Sequence, residues 1–344
     1  MMKNKILLIL TGGTICSFAD NKGERRPDAK SADYLIKEIF KKSDSPYKDA
    51  EFDDKIPMNI LSENMSPKRW NELIDGFREY RIENYRGVII LHGTDTLAYT
   101  SAMLSMVLAG VSVPVFMVSS QLPLNEKEAN GNANFRVAVE LIMKGIKPNV
   151  YVPYRNMDGK MLIHLGAHIT QCPNFSNDFH SRDEVEVDSK KPEFSGVEYE
   201  SSGKIIEKIG DFSASVLKIE PYVGLDYSRI NLEGIKAVCH GTYHSETMSV
   251  SEDIPDEYSV FSLKECFSGE IPLFITPCRY IEAEKTECYE TTARIVKKGG
   301  VPVFGMTSEM VYVKAMVGVA LGLFGDKLKK FLKDEEINGE FHLS

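Results

Sequence analysis

Two apolar runs each end in a glycine turn that carries a threonine: Lys5-ILLILTGGTI-Cys16 and Gly87-VIILHGTDTLAYT-Ser101. In an open α/β sheet, ligands collect outside the carboxyl ends of the strands. A hydroxyl placed directly after a β-branched run therefore faces the ligand crevice. Thr14, Thr94 and Asp95 occupy such places. Gly12 and Gly13 permit a tight turn whose N–H groups approach a bound group, and Gly93 does the same beside His92. A threonine hydroxyl can attack a carbonyl if a neighbour removes its proton, and backbone N–H donors can hold the oxyanion that forms. The competing reading of either turn alone is a strand-to-loop bend whose threonine caps a helix. Its repetition in one chain favours chemistry.

The surrounding pattern supplies a scaffold for these turns. Apolar runs of strand length at Lys5–Leu10, Val88–Leu91, Pro114–Ser119 and Val150–Tyr154 alternate with helical patterns near Ala32–Lys41, Pro67–Ile82, Tyr99–Ala109 and Ala133–Lys144. That alternation predicts βαβ units in a parallel sheet. From Asp183 to Asp211 the sequence turns charged and mixed, which reads as short polar strands or a linker. A second block has strands at Ser215–Ile219, Ile235–His240 and Pro272–Thr276 and a closing helix Thr307–Phe324. The fold class is α/β, with a larger N-terminal parallel-sheet domain (1–190), a linker region (191–212) and a smaller C-terminal α/β domain (213–344).

Bulk properties bound the function. A chain of 344 residues with 43% hydrophobic content can bury one large core or two ordinary ones, and its length favours two domains. A net charge of −9 disfavours nucleic acid, whose binders need a basic face to displace counterions. No run approaches the length of a bilayer span, and Ile6 to Leu10 is too short for a secretory signal, so a cytoplasmic location is expected. Cys16, Cys172, Cys239, Cys266, Cys278 and Cys288 show no close metal-ligand spacing and read as reduced thiols, several of them in strands.

Together the two turns resemble the signature segments of the bacterial-type L-asparaginase family. The likeness continues through Leu61-SENMSPKRW-Asn71, similar to that family's serine-containing substrate loop, and through Ser119-SQLPLNEKEANGN-Ala133. Gly305-MTSEMVYVKAMVGVAL-Gly322 resembles the family's terminal helix. The resemblance implies an amidohydrolase that needs no cofactor and acts on a small amide such as asparagine. It gives Thr14 the nucleophile role, sets Thr94 and Asp95 in a second polar group, and makes the N–H groups around Gly13 and Thr94 the oxyanion donors. Ser62 and Glu63 take positions that hold the substrate's α-carboxylate and α-ammonium, with Asp95 sharing the ammonium; Gly13 and Gly93 line the site. It also implies a homodimer or homotetramer with sites near a subunit boundary.

Two family positions depart. The loop after Thr14 has no tyrosine before Tyr34, and Glu24, Arg25 and Arg26 stand there instead. The family's catalytic lysine closes a motif for which the best match here is Gly166-AHIT-Gln171, leaving Gln171 or Thr170 in its place and Lys160 upstream. Ser62 has a plainer reading as the N-cap of the Pro67–Ile82 helix. His164 and His168 have i,i+4 spacing, with His180 further on, but the segment reads as strand and loop rather than as the helix whose turn would bring such a pair together on a metal. The second-domain turn containing His240 and His244, with Tyr243, Ser245, Glu246 and Thr247, reads either as a contribution to a neighbouring subunit's site or as surface turn chemistry. Alternative functions are an amidase of altered specificity and a catalytically silent fold that binds an amino acid.

Overall fold

The computed structural model describes residues 5–19, 24–195, 205–278 and 289–341. The chain divides into two compact units between Glu207 and Lys208.

The first unit is built on a seven-stranded sheet. In chain order its strands begin with β1 (Lys5–Leu10), after which a separate antiparallel hairpin forms from β2 (Ser17–Ala19) and β3 (Arg25–Pro27). The sheet continues with β4 (Glu51–Lys55), β5 (Gly87–Leu91), β6 (Val115–Val118), β7 (Val150–Arg155), β8 (Met161–Leu165) and β9 (Val185–Val187). Its spatial order is β4-β1-β5-β6-β7-β8-β9, parallel from β4 to β7 and antiparallel beyond. β1 and β5 are apolar on both faces because helices cover both sides, and Ile6 to Leu10 and Val88 to Leu91 are wholly buried. Each such side chain contributes about 1.5–3 kcal/mol of burial.

The helices are bounded by local chemistry. α1 (Ala29–Lys41) begins where the Asp28 carboxylate accepts from the Ser31 N–H. α2 (Pro67–Tyr80) has Ser66 as its N-cap, accepting from the Arg69 N–H, and proline in its first turn. The N-cap reading of Ser62 is thereby corrected: Ser66, adjacent to the helix, has the reach, and Ser62 is buried elsewhere. α2 also stops before the expected Ile82, at Arg81 in the left-handed region, and Ile82–Asn84 forms a short 3-10 turn. α3 (Leu97–Val107) is buried on nearly all sides, and α4 (Gly131–Lys144) ends at Gly145 in the left-handed conformation.

In the second unit β10 (Val216–Ile219), β11 (Ala237–His240), β12 (Leu273–Cys278) and β13 (Val301–Phe304) form a parallel sheet in that order. α5 (Lys264–Phe267), α6 (Glu290–Lys297), α7 (Ser308–Ala320) and α8 (Gly325–Asp334) complete it. The expected closing helix Thr307–Phe324 ends at Ala320 and resumes as α8, because Gly322 and Gly325 both take positive φ. The apolar stripe of α7 is core of this unit, packed on β10, β11 and β12. Its Lys314 is buried with the Glu340 carboxylate 2.6 Å away. Among the described residues no helix is long and apolar enough to cross a membrane.

Candidate active site

The sheet order fixes where a site forms. From β1 the chain crosses outward to β4, returns over β1 to β5, and then proceeds the other way to β6 and β7. The connections that leave β1 and β5 diverge, and a crevice opens between their carboxyl ends. Thr14 lies just after β1 and Thr94 just after β5.

Glycines bring the two turns into backbone contact. Gly12 has φ 113° and Gly13 φ 79°. A Cβ on Gly12 would fall 2.0 Å from the Ile60 carbonyl oxygen, and one on Gly13 would fall 2.2 Å from the Gly93 Cα. A Cβ on Gly93 would fall 2.4 Å from Ser62 Oγ. Three loops thus meet at van der Waals distance, the first against each of the others backbone to backbone and the second against the third through the Ser62 side chain. Gly13 N–H donates to the Ile60 carbonyl at 2.7 Å and Thr11 N–H to the Leu91 carbonyl at 3.0 Å, continuing the ladders beyond the strand ends. Thr14 starts a 3-10 turn, Thr14–Cys16, and is half-buried, as is Thr94.

Ser62 ties the third loop to the second. Its Oγ donates to Asp95 Oδ2 at 3.1 Å and accepts from the Asp95 N–H at 3.2 Å. Its carbonyl accepts from Thr96 Oγ1 at 3.0 Å. Thr96 stands at the N-cap of α3 but spends its hydroxyl on Ser62 rather than on its own helix. The buried Ser62 therefore orients Asp95, whose side chain is exposed at the crevice. Glu63 is the next residue and is also exposed.

Gln171 reaches the same place: its Nε2 donates to the Asp95 backbone carbonyl. Thr170 beside it is held at the His180 carbonyl by both N–H and hydroxyl, at 3.1 Å each. Lys160 lies in the turn between β7 and β8 and is exposed, with its ammonium 3.4 Å from Glu186. The contact to Asp95 comes from Gln171, and the ion pair of Lys160 is with a neighbouring strand. Glu24 pairs with Arg26 at 2.8 Å, and Arg25 pairs with Glu126 at 2.8 Å, bridging the β2–β3 hairpin and the loop before α4.

Sequence reasoning did not single out two supports. His92 is wholly buried, and burial pushes its pKa down to about 4, so it is neutral across the physiological range. Ser119 Oγ donates to the His92 carbonyl at 2.7 Å, and Asn134 Nδ2 donates to the Ser119 carbonyl at 2.9 Å. A polar residue directly after a fully apolar run was the signal available for both.

Other named residues lie elsewhere. His164, in β8, is buried with Nδ1 2.8 Å from Ser181 Oγ, and burial pushes its pKa down to about 3, with His180 adding to the shift. His168 lies 3.3 Å from Asp183, and His180 lies 3.5 Å from Glu184. Among the described residues no group of three or more His, Cys, Asp or Glu could hold a metal ion. Cys16, Cys172, Cys239, Cys266 and Cys278 are free thiols, and burial pushes four of them up to about 12; Cys288 lies outside the described residues. His244 and Glu246 belong to the second unit, in a turn where the Glu246 carbonyl accepts from Thr292 Oγ1 at 2.7 Å.

The model of the family described as "Asparaginase, N-terminal" matches residues 5–186. A glutamyl-tRNA(Gln) amidotransferase subunit from Methanococcus maripaludis is 28% identical, covering 100% of this chain and 82% of its own. The thermostable L-asparaginase from Thermococcus kodakarensis superposes with a TM-score of 0.75 at 22% identity, over 99% of this chain and 100% of that one. L-asparaginase I from Vibrio cholerae gives 0.73 at 19% identity, with the same coverage. Both solved structures share this fold.

Proposed function

Since the chain belongs to the asparaginase family, we propose that it hydrolyses a side-chain amide of a small amino acid, releasing ammonia and a carboxylate. The observation that supports this reading is the close approach of Gly13 to Gly93, the residues directly before Thr14 and Thr94, at the divergence of β1 and β5. Thr14 Oγ1 attacks the amide carbonyl and forms an acyl-enzyme, and water then releases the acid. With the Gly13 N–H given to the Ile60 carbonyl, the N–H groups that follow Gly13 and Gly93 are the ones that hold the oxyanion, the interaction that usually contributes most to such chemistry. Asp95, oriented by Ser62, and the exposed Glu63 supply negative charge for the substrate's α-ammonium.

L-asparagine is the first substrate on this reading. Glutamine is the second, because the amidotransferase relative is named for glutamyl-tRNA(Gln). Its designation as a subunit supports assembly as well, either with further copies of this chain or with a partner protein. A third reading, amino-acid binding without turnover, draws on Gln171, a neutral amide where the resemblance implies a lysine. A coupled ammonia assay on asparagine, glutamine and their simple amide analogues separates these. Release from asparagine supports the first reading and release from glutamine alone the second. Thermal stabilisation by amino acids with no ammonia from any amide would overturn hydrolysis.

A further inference from the structure

Each unit ends a parallel strand in the same three residue types. His92-Gly93-Thr94 follows β5, and His240-Gly241-Thr242 closes β11. Both histidines are wholly buried. In each, Nδ1 meets the carbonyl oxygen of the next glycine, at 2.7 Å for His92 and 2.6 Å for His240. At such separations an unprotonated nitrogen and a carbonyl oxygen would repel, so Nδ1 carries the proton in both rings.

The two differ at Nε2. His240 Nε2 lies 3.0 Å from the Tyr227 hydroxyl, which satisfies it. His92 Nε2 is buried with no partner among the described residues. An orphaned buried acceptor costs stability, and a phenylalanine ring of similar volume would fill the same space without one. Histidine at position 92 is therefore explained by its other nitrogen. In a trans peptide the carbonyl and the following N–H point in opposite directions. By drawing the Gly93 carbonyl toward the buried ring, His92 turns the Thr94 N–H away from that ring. The Ser119 bond to the His92 carbonyl fixes the preceding peptide as well.

We propose that His92 is a positioning residue, which through the Gly93 carbonyl aims the Thr94 N–H at the oxyanion of the tetrahedral intermediate. This rests on the roles given above to Thr14 and Thr94. A misaimed donor forfeits part of the 10²–10³-fold that one oxyanion donor supplies. His92→Phe should thus lower kcat about 10- to 100-fold, with KM within about threefold. His92→Asn, whose Nδ2 stands where Nδ1 does, should recover most of kcat, and His92→Gln, which mimics Nε2, should not. Crystal structures should show the Gly93–Thr94 peptide rotated in His92→Phe and in its original orientation in His92→Asn. His240→Phe, which breaks the Tyr227 bond, should lower Tm.

A His92→Phe variant with an unrotated peptide and unaltered kcat overturns the proposal, as does His92→Asn being as slow as His92→Phe. A wild-type chain that releases ammonia from no amide overturns the proposed function instead. The peptide orientation in the two crystal structures then still decides whether His92 sets it.

Discussion

A threonine hydroxyl gains nothing as a nucleophile from its own pKa, so the value of Thr14 lies in where β1 delivers it. On the proposed mechanism Thr14→Ala removes the bond-forming atom and leaves Ser62, Glu63 and Asp95 in place. We expect kcat to fall at least about a thousandfold, roughly 4 kcal/mol of barrier, with the affinity for aspartate in calorimetry little changed. Near wild-type kcat would remove Thr14 as nucleophile and make Thr94 the first candidate. Gln171 poses the opposite experiment. Its amide holds the Asp95 backbone carbonyl, and a lysine there would set an ammonium beside Asp95 and lower the cost of deprotonating a nearby hydroxyl. Gln171→Lys should raise asparagine turnover about tenfold or more, which requires only about 1.4 kcal/mol off the barrier. A fall in turnover would mean that the amide contact is itself required. The sequence made the substitution visible, because Thr170 and Gln171 stand at the end of the motif. It could not show that Lys160, upstream of that motif, is engaged by Glu186 on a neighbouring strand.

At the scale of elements, the site is three loops brought together at glycines, so that an added Cβ would force backbone apart. Gly13 carries two constraints at once: φ 79° and a Cβ position 2.2 Å from the Gly93 Cα. Backbone cannot yield as a side-chain tip can. Gly13→Ala should destabilise the protein by about 3 kcal/mol or more and abolish turnover, as measured by denaturant unfolding and ammonia release. An alanine variant of full stability would refute the close approach of the two turns. The turns were legible because glycine directly after an apolar run marks a place where the backbone must bend sharply or approach another segment. The loop at Ser62 was legible only as a candidate, since nothing local shows that a serine before a helix will bond Asp95, whose carboxylate is brought in by a separate strand. Likewise β4, Glu51–Lys55, has the charged composition of an exposed segment. It forms a strand because the edge of a sheet needs only one buried side.

For the whole molecule, alternation of apolar runs and helical patterns was enough to give the α/β class, because parallel strands buried on both faces leave a plain compositional trace. Strand was legible around His164 and, as one of two readings, in the charged stretch after Asp183, but the antiparallel direction of β8 and β9 was not, and β13 with its proline was not anticipated, since these strands add to sheets whose character the earlier ones had already set. Buried histidines give the chain a pH dependence that composition cannot reveal. Burial pushes His92 down to about 4 and His164 to about 3 from an ordinary 6.5, and it lowers His240 as well. Unfolded, these rings bind protons near pH 6.5; folded, they resist protonation until well below it. Between those limits the unfolded state holds more protons, so stability rises with pH. The contribution is fully present above about pH 6.5 and is lost as pH falls through 4; for His92 alone it is about 3 kcal/mol. Urea unfolding between pH 7 and 4 should show a steady fall in stability. In His92→Phe that slope should be shallower, because one of the protons gained on unfolding has gone. An unchanged slope in that variant would mean that His92 is already charged, or reaches water, in the folded protein.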